Sequence, residues 1–316
     1  MKTRLYIKIV AMLAAIAVVS LGATALFRSI PWQHDADEMT VVTSFYPVYI
    51  AAKNVVGDTA GVRVVNMVDS QGGCLHDYQM SPRDRAVLES ADVFVMNGAG
   101  AEPFLTAALA SLPSLQVVDL STGQLLLESG HVHEHEHEHD GDEHDEASVN
   151  GHLWVSPLRY RQQVALLGES LAKADPANAA HYRENAAAYI EKIDAVWARM
   201  KAAATPFADT PTVLFHDSLL YLAEDLGLTV VASLNVGEES GVSASDKAAA
   251  TDALLGKETA LFLYDSQYAT TVGGLTQGVG RVVELSVDTA VSGADTPDAW
   301  LDAMTSICGN WEAQYA

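Results

Sequence analysis

The chain has 316 residues, with 18 Lys and Arg against 41 Asp and Glu, and a formal net charge of −23. Its length is enough for two domains, and a hydrophobic content of 49% predicts folded cores, not a disordered chain. The charge excludes nucleic-acid binding, which needs clustered Lys and Arg, and it disfavours adhesion to anionic lipid.

The N-terminus has the pattern of an export signal. Lys2, Arg4 and Lys8 precede an uncharged, mostly apolar run over residues 9–27, and residues 23–25 (Ala-Thr-Ala) offer a small-residue cleavage site. The run is also just long enough to span a bilayer, so a cleaved signal and a retained membrane anchor both stay open. The basic residues ahead of the run place the remainder outside the cytoplasm in either case.

Beyond a short polar linker, apolar strands alternate with helices. The predicted strands are 41–45, 62–67, 93–96 and 115–118, and then 212–215, 229–232, 261–264 and 282–285. Helices are predicted to begin at the pairs Ser81-Pro82, Ser156-Pro157 and Thr296-Pro297, and at Ser245 as a cap. Alternation of this kind is typical of parallel α/β sheets.

Residues 176–204 are rich in Ala, Glu, Lys and Arg, without a Gly or Pro inside the stretch. This composition predicts one long helix, or two nearly continuous ones, that connects two α/β lobes. We therefore expect four parts: a leader with its linker, a first lobe, a bridging helix and a second lobe, over 1–38, 39–175, 176–204 and 205–316.

A stretch of alternating His and carboxylate residues lies inside a loop predicted over 128–150. Its six histidines, of eleven in the chain, are His131, His133, His135, His137, His139 and His144. As a strand, the stretch would bury nothing, since both faces are polar. Imidazole favours zinc and carboxylates concentrate cations, so we predict a solvated, flexible loop that binds metal weakly. An acidic spacer is the alternative; an affinity tag is disfavoured because tags stand at termini and rarely contain Glu.

Three other histidines share a type of position. His216 directly follows a predicted strand, His76 lies in the loop after another, and His152 stands just before a predicted helix. Ligands of open α/β sheets bind beyond the carboxyl ends of the strands. Three imidazoles that meet there would form a zinc site with a fourth position for a carboxylate or water. Each histidine alone is more often a surface or hydrogen-bonded residue, so their shared placement carries the hypothesis.

Cys74 and Cys308 are the two cysteines of the chain. An even number in an exported protein permits a disulfide, with two free buried thiols as the alternative. We expect the disulfide.

Three blocks of sequence resemble the zinc/manganese solute-binding proteins of ABC transporters, the high-affinity zinc-uptake type. Residues 73–84 (Gly-Cys-Leu-His-Asp-Tyr-Gln-Met-Ser-Pro-Arg-Asp) and 91–104 are similar to the first ligand block, 150–157 (Asn-Gly-His-Leu-Trp-Val-Ser-Pro) to the second, and 215–218 (Phe-His-Asp-Ser) to the third. The blocks occur in the family's order between Thr40 and the C-terminus. The resemblance implies two Rossmann-like lobes bridged by a long helix, with the metal in the cleft between them.

Carried over position by position, the resemblance implies as metal ligands His76, His152 and His216. It favours zinc, because manganese members tend to have Glu at the third position, and imidazole suits zinc better than manganese. The fourth family ligand is an Asp after the last strand of the second lobe, where this chain has Ser286, with Asp288 two residues later. Asp288, a water or Glu239 would complete the tetrahedron.

The implied function is capture of Zn²⁺ in the periplasm or at the outer face of the cytoplasmic membrane. The expected partner is a membrane permease with its cytoplasmic ATPase, and the protein is expected to be a monomer and not an enzyme. The alternatives are a manganese- or iron-binding member of the family, a three-His zinc hydrolase, and a zinc-storage or adhesion protein that works through its loop. The hydrolase lacks a supporting motif in the folded lobes, since the sequence outside the His-rich stretch contains no HExxH and the chain contains no nucleophile elbow.

Overall fold

The computed structural model describes residues 12–13, 15–20, 22, 38–68, 75, 78–129, 149–234, 243–266, 278–291 and 296–315. Five predictions lie outside these ranges: the cleavage site over 23–25, the His-rich stretch over 131–146, His76, Cys74 and Glu239. The described residues of the predicted leader are helical, and in the described part of the chain no helix is both long and apolar enough to cross a membrane.

The first sheet has four parallel strands in the order β2-β1-β3-β4. The strands are β1 (Met39–Thr43), β2 (Val62–Asn66), β3 (Val93–Met96) and β4 (Gln116–Asp119). Three helices alternate with them, namely α1 (Tyr46–Val56), α2 (Pro82–Glu89) and α3 (Thr106–Ala110). The central strands are apolar on both faces, as a parallel sheet covered by helices requires.

The second sheet repeats this layout in the order β6-β5-β7-β8, again fully parallel. Its strands are β5 (Pro211–Leu214), β6 (Thr229–Ser233), β7 (Thr259–Asp265) and β8 (Arg281–Val287). The predicted α/β class with two parallel sheets is confirmed, and the strand ends differ from the predicted ones by at most two residues.

The long helical stretch is also confirmed. Helix α4 (Pro157–Ala174) is followed by a 3-10 turn at Pro176–Asn178 and by α5 (Ala179–Ala204), which has 26 residues. Gly168 lets α4 and α5 pack closely, since a Cβ at that position would lie 2.7 Å from the Cβ of Ala186.

The remaining helices are α6 (Leu220–Asp225), α7 (Ala244–Leu254) and α8 (Ala299–Glu312). Helix α8 returns to pack on α5, where Arg199 and Glu312 form a two-bonded ion pair. Trp300 of α8 stacks on Tyr160 of α4, with ring centroids 4.2 Å apart. The end of the chain is therefore part of one apolar core that also contains residues from both sheets.

The predicted Cys74–Cys308 disulfide is contradicted, because Cys308 is a free thiol in the core of α8. Its side chain is fully buried, and burial raises the pKa of the thiol to about 11. A thiol in such surroundings packs as a small apolar group.

Two helix starts show how local the capping signals are. The predicted capping box at α2 is present: Ser81 Oγ accepts from Asp84 N, and the Asp84 carboxylate accepts from Ser81 N. At α7 the prediction of Ser245 as the cap is wrong, since Ser243 Oγ accepts from Asp246 N. Ser243 has the extended backbone of a cap, whereas Ser245 already lies within the first helical turn.

Candidate metal centre

Two histidines and a carboxylate from distant parts of the sequence meet beside β5. His216 lies two residues after the end of β5, Asp217 opens the 3-10 turn Asp217–Leu219, and His152 precedes the 3-10 turn Leu153–Val155. One possible ligand atom from each of the three residues lies within 4.8 Å of the others. The two imidazole rings are 5.6 Å apart between centroids and nearly perpendicular, at 87°. This is the arrangement in which imidazole and carboxylate groups hold a divalent transition metal.

Asn150 orients the His152 ring. Its Oδ1 accepts from the His152 backbone N at 2.9 Å and lies 3.0 Å from His152 Nδ1. An amide oxygen can only accept, so Nδ1 carries the proton and Nε2 keeps its lone pair for a metal. An imidazole ligand that donates its second nitrogen in this way is fixed in both tautomer and orientation.

The same amide also reaches the second histidine segment. Asn150 is 1% exposed, and its Nδ2 donates to the Asp217 carbonyl at 2.7 Å. One side chain therefore connects the segment of His152 with the segment of His216. All the amide's hydrogen bonds serve the candidate centre or its immediate backbone.

Tyr221 of α6 connects the two segments of chain that flank the His-rich stretch. Its hydroxyl donates to the Asn150 carbonyl at 2.8 Å and accepts from Leu127 N at 3.0 Å. Asn150 N also donates to the Leu127 carbonyl at 2.8 Å, and Glu128 pairs with Val149 in an antiparallel bridge. The described residues on either side of that stretch are thus paired with each other, two residues ahead of His152.

His216 is held differently. Its Nδ1 accepts from Ser218 N at 3.0 Å, as a helix cap, and lies 3.1 Å from Asp217 Oδ1. When Nδ1 accepts, a neutral ring carries its proton on Nε2. Ligation through Nε2 would therefore move the proton to Nδ1, where the Asp217 carboxylate could accept it.

A buried ion pair connects the helices that follow the two histidine segments. Arg159 of α4 donates to both carboxylate oxygens of Asp225 in α6, and the two side chains are 8% and 6% exposed. Ser156 at the start of α4 donates to the same carboxylate at 2.6 Å. A two-bonded geometry with additional donors is the condition under which a buried pair offsets its desolvation.

The structure brings together some of the predicted ligands. His152 and His216 meet, whereas His76 and Glu239 lie outside the described residues. Asp288 is described. The carbonyl oxygen of its neighbour Thr289 accepts from Trp154 Nε1 at 2.8 Å, so the Asp288 segment contacts a residue two positions after His152. Among the described residues, however, the carboxylate of the compact cluster is that of Asp217.

Sequence reasoning missed the roles of Asp217 and Asn150. A carboxylate directly after a histidine at a strand end was a usable signal for Asp217. Asn150, two residues ahead of His152, had no comparable signal, since its role depends on contacts across 67 positions of sequence.

Two parallel sheets of equal strand order with a long helix form an α/β fold that solved solute-binding proteins share. The SBP FpvC of Pseudomonas aeruginosa, solved with Ni²⁺, matches with a TM-score of 0.70 at 23% identity, covering 88% of this chain and 96% of that one. Zn(II)-bound AdcA of Streptococcus pneumoniae matches with a TM-score of 0.65 at 22% identity, covering 87% and 58%. Similarity at these identities shows the fold.

The family described as "Zinc-uptake complex component A periplasmic" matches residues 41–310, and the chain belongs to it. The zinc-binding protein AdcA of Streptococcus pyogenes serotype M3 is 32% identical over 205 residues, which cover 62% of this chain and 39% of that protein. The zinc-binding lipoprotein AdcA of S. pneumoniae serotype 4 is 30% identical over 222 residues, 70% of this chain and 44% of that one. The chain thus spans about two fifths of the AdcA proteins. The predicted family is confirmed.

Proposed function

We propose that this protein captures Zn²⁺ outside the cytoplasm and delivers it to the permease of an ABC transporter. The observation that carries the proposal is the convergence of His152, His216 and Asp217 in a member of a zinc-uptake family. The names of the AdcA relatives, zinc-binding protein and zinc-binding lipoprotein, support both the metal and the extracytoplasmic location.

The proposed ligand set is His76, His152 and His216 with one carboxylate. His152 would bind through Nε2, since Asn150 occupies Nδ1. Asp217 and Asp288 are the two described candidates for the oxygen ligand. If Asp288 binds the metal, Asp217 would accept a hydrogen bond from Nδ1 of a zinc-bound His216, as carboxylates beside a ligating histidine commonly do.

Zinc is the proposed metal because a set rich in imidazole suits zinc better than manganese. A different metal has support of its own: the iron-binding protein YfeA of Yersinia pestis is 29% identical over 230 residues, covering 72% of this chain and 69% of that one. Zn²⁺ binds most nitrogen and oxygen sites more tightly than Mn²⁺ or Fe²⁺ does. Growth of a strain that lacks this protein under limitation of each metal therefore decides between them, with direct competition for the metal-free protein as a second measurement. Tighter binding of Mn²⁺ or Fe²⁺ would contradict the proposal.

The experiment that tests the site is calorimetric zinc titration with a competing chelator, on the parent protein and on single variants. His76→Ala, His152→Ala and His216→Ala should each lose tight binding. Asp217→Asn and Asp288→Asn identify the carboxylate, because replacement of a ligand weakens binding more than replacement of a supporting group. Unchanged zinc affinity in both histidine variants of the described cluster would refute the site.

Deletion of residues 131–146 separates capture from storage. A capture protein keeps one tight zinc site without these residues, whereas a storage or adhesion protein loses nearly all its zinc. Zinc-dependent esterase and phosphatase assays test the hydrolase, for which we expect no turnover. Restored growth of a zinc-uptake mutant under zinc limitation would test delivery to the permease. The domain division at 39–175, 176–204 and 205–316 and a monomeric state are part of the same proposal.

A further inference from the structure

Glu102 is a buried carboxyl group outside the ligand cluster. It is 3% exposed, and its described partners are all neutral donors. Oε1 accepts from Ser44 Oγ and from Asn97 N, each at 2.7 Å, and Oε2 accepts from Gly98 N at 3.1 Å. Burial of a carboxyl group is costly, so a group kept in this position must hold its donors in place.

The donors belong to a turn in an unfavourable conformation. Gly98, Ala99 and Gly100 all have positive φ, at 81°, 51° and 75°. Ala99 carries a side chain in this left-handed region, which is unfavourable because its Cβ crowds the neighbouring carbonyl oxygen. Glu102 bridges the start of the turn, so its hydrogen bonds stabilise a backbone that the residues themselves do not prefer.

This turn contacts the segment that carries His152. Asn97, fully buried, donates through Nδ2 to the Gly151 carbonyl at 2.7 Å, and its Oδ1 accepts from Gln163 Nε2 at 2.8 Å. The Gly151 carbonyl also accepts from Leu153 N at 2.9 Å, across the position of His152. Asn97, directly after β3 of the first sheet, therefore fixes the peptide bond between Gly151 and His152.

Gly151 shows how closely the two segments approach. A Cβ built at this position would lie 2.8 Å from the Cβ and 2.9 Å from the Cα of Ala101. Since backbone lies directly against backbone here, a shift of the turn displaces His152 with it.

We propose that Glu102 and Asn97 are positioning residues for the metal centre, which fix the Gly151 backbone and thereby the placement of the His152 ring. Neither residue contacts the metal. The inference rests on the proposed function only in taking His152 as a zinc ligand.

The test compares zinc affinity with stability in the full-length protein. Glu102→Gln keeps the size of the side chain but places an amide against donors, and Asn97→Ala removes the bond to Gly151. Asp175→Asn is the matched control, because Asp175 also accepts hydrogen bonds, from Asn178 and Tyr182, but at the junction of α4 and α5. The measurements are zinc dissociation constants by chelator competition and thermal midpoints of the zinc-free proteins.

We expect Glu102→Gln and Asn97→Ala to weaken zinc binding about 10–100-fold, as supporting residues of metal sites do. Asp175→Asn should lower the thermal midpoint without a comparable change in affinity. X-ray absorption at the zinc edge should show fewer imidazole ligands per zinc in the two variants, which a general loss of stability would not produce. Zinc affinity equal to that of the control would overturn the inference.

Two further variants keep the outcome decisive. If Glu102→Gln does not fold, Ser44→Ala removes a single bond to the carboxylate and should weaken zinc binding about threefold to tenfold; unchanged affinity counts against the inference. If His152→Ala binds zinc as tightly as the parent protein, the proposed site is wrong. If His152→Ala loses zinc while Glu102→Gln and Asn97→Ala retain it, only the positioning role is wrong.

Discussion

His152 and His216 offer imidazoles to one centre from two differently built surroundings. The His152 side chain is 7% exposed, and an amide oxygen fixes the proton on Nδ1. The His216 side chain is 15% exposed, and its Nδ1 accepts a backbone N–H beside a carboxylate. The His152 ring is already arranged for ligation through Nε2. The His216 ring would have to move its proton from Nε2 to Nδ1 and would lose the hydrogen bond from Ser218 N. Metal binding should therefore change the His216 segment more than the His152 segment.

The largest expected effect is that of His152→Ala. Loss of the ring that needs no rearrangement should weaken zinc binding about 1000-fold, and more than His216→Ala does, because His216 gives up part of its binding energy to rearrange. Chelator competition measures both. His181→Ala, at an exposed histidine of α5, is the control and should bind like the parent. A larger loss in His216→Ala would reverse the comparison.

Asn150→Ala should weaken zinc binding about 10–100-fold, because the His152 ring loses the acceptor that fixes its tautomer. Nitrogen chemical shifts of the zinc-free protein should then show mixed tautomers at His152. Asn178→Ala removes an amide of similar connectivity at the α4–α5 connection and should leave zinc affinity unchanged. A single tautomer in Asn150→Ala would mean that other contacts fix the ring.

Asp217→Asn should have a smaller effect, about tenfold, if the carboxylate supports His216 without binding the metal. The amide cannot take up a proton, but its oxygen can still accept a hydrogen bond from Nδ1 of the ligating ring. A loss comparable to that of His152→Ala would identify Asp217 as a ligand. Asp302→Asn, at an exposed position of α8, serves as the control for the charge change.

The smallest expected effect is a change with pH in the unfolding free energy, through Glu102 on the His152 side. Burial raises the pKa of Glu102 to about 7, with the charge of Asp119 acting in the same direction against the hydrogen bonds of Ser44, Asn97 and Gly98. The folded state therefore binds more protons than the unfolded state between the ordinary pKa of 4.5 and about 7. The stability contributed by this group is fully present below 4.5 and is lost as pH rises through 7.

From pH 6 to pH 7, the unfolding free energy of the zinc-free protein should fall by about 1 kcal/mol through Glu102. Glu102→Gln, which does not titrate, should remove that part of the slope in urea unfolding measured across this range. An unchanged slope would show that Glu102 keeps the same proton occupancy in both states.

The sequence predicts the fold well because its signals are local. The Ser-Pro pair at 81–82 caps and begins a helix through contacts within one turn. The pair at 156–157 also stands at a helix start, although Ser156 makes no side-chain cap bond there, and short apolar runs suffice for buried strands. The wrong prediction of Ser245 as a cap also concerns a local signal. Ser243 and Ser245 stand close together, and only the backbone conformation selects Ser243 as the cap.

The candidate site was predictable only in part. His152 and His216 stand out as rare residues at strand ends and helix starts. Of their supporting groups, Asp217 had a usable signal as a carboxylate directly after a histidine, whereas Asn150 is an ordinary residue whose role follows from a contact across distant sequence. The disulfide prediction for Cys308 was wrong for a related reason. It was inferred from an even number of cysteines, whereas the burial of this thiol depends on how α8 packs in the core.

Leu127 and Glu128 pair with Asn150 and Val149, and this pairing makes the position between residues 128 and 149 suitable for an inserted segment. Because the two ends are paired with each other and held by Tyr221, a foreign segment joined between them would add only loop-closure entropy, which grows slowly with length. A pair of fluorophores or a circularly permuted fluorescent protein placed there would be joined to the chain two residues from His152. The same feature would let related chains exchange such segments while keeping one metal centre, and it offers a site for building a genetically encoded metal sensor.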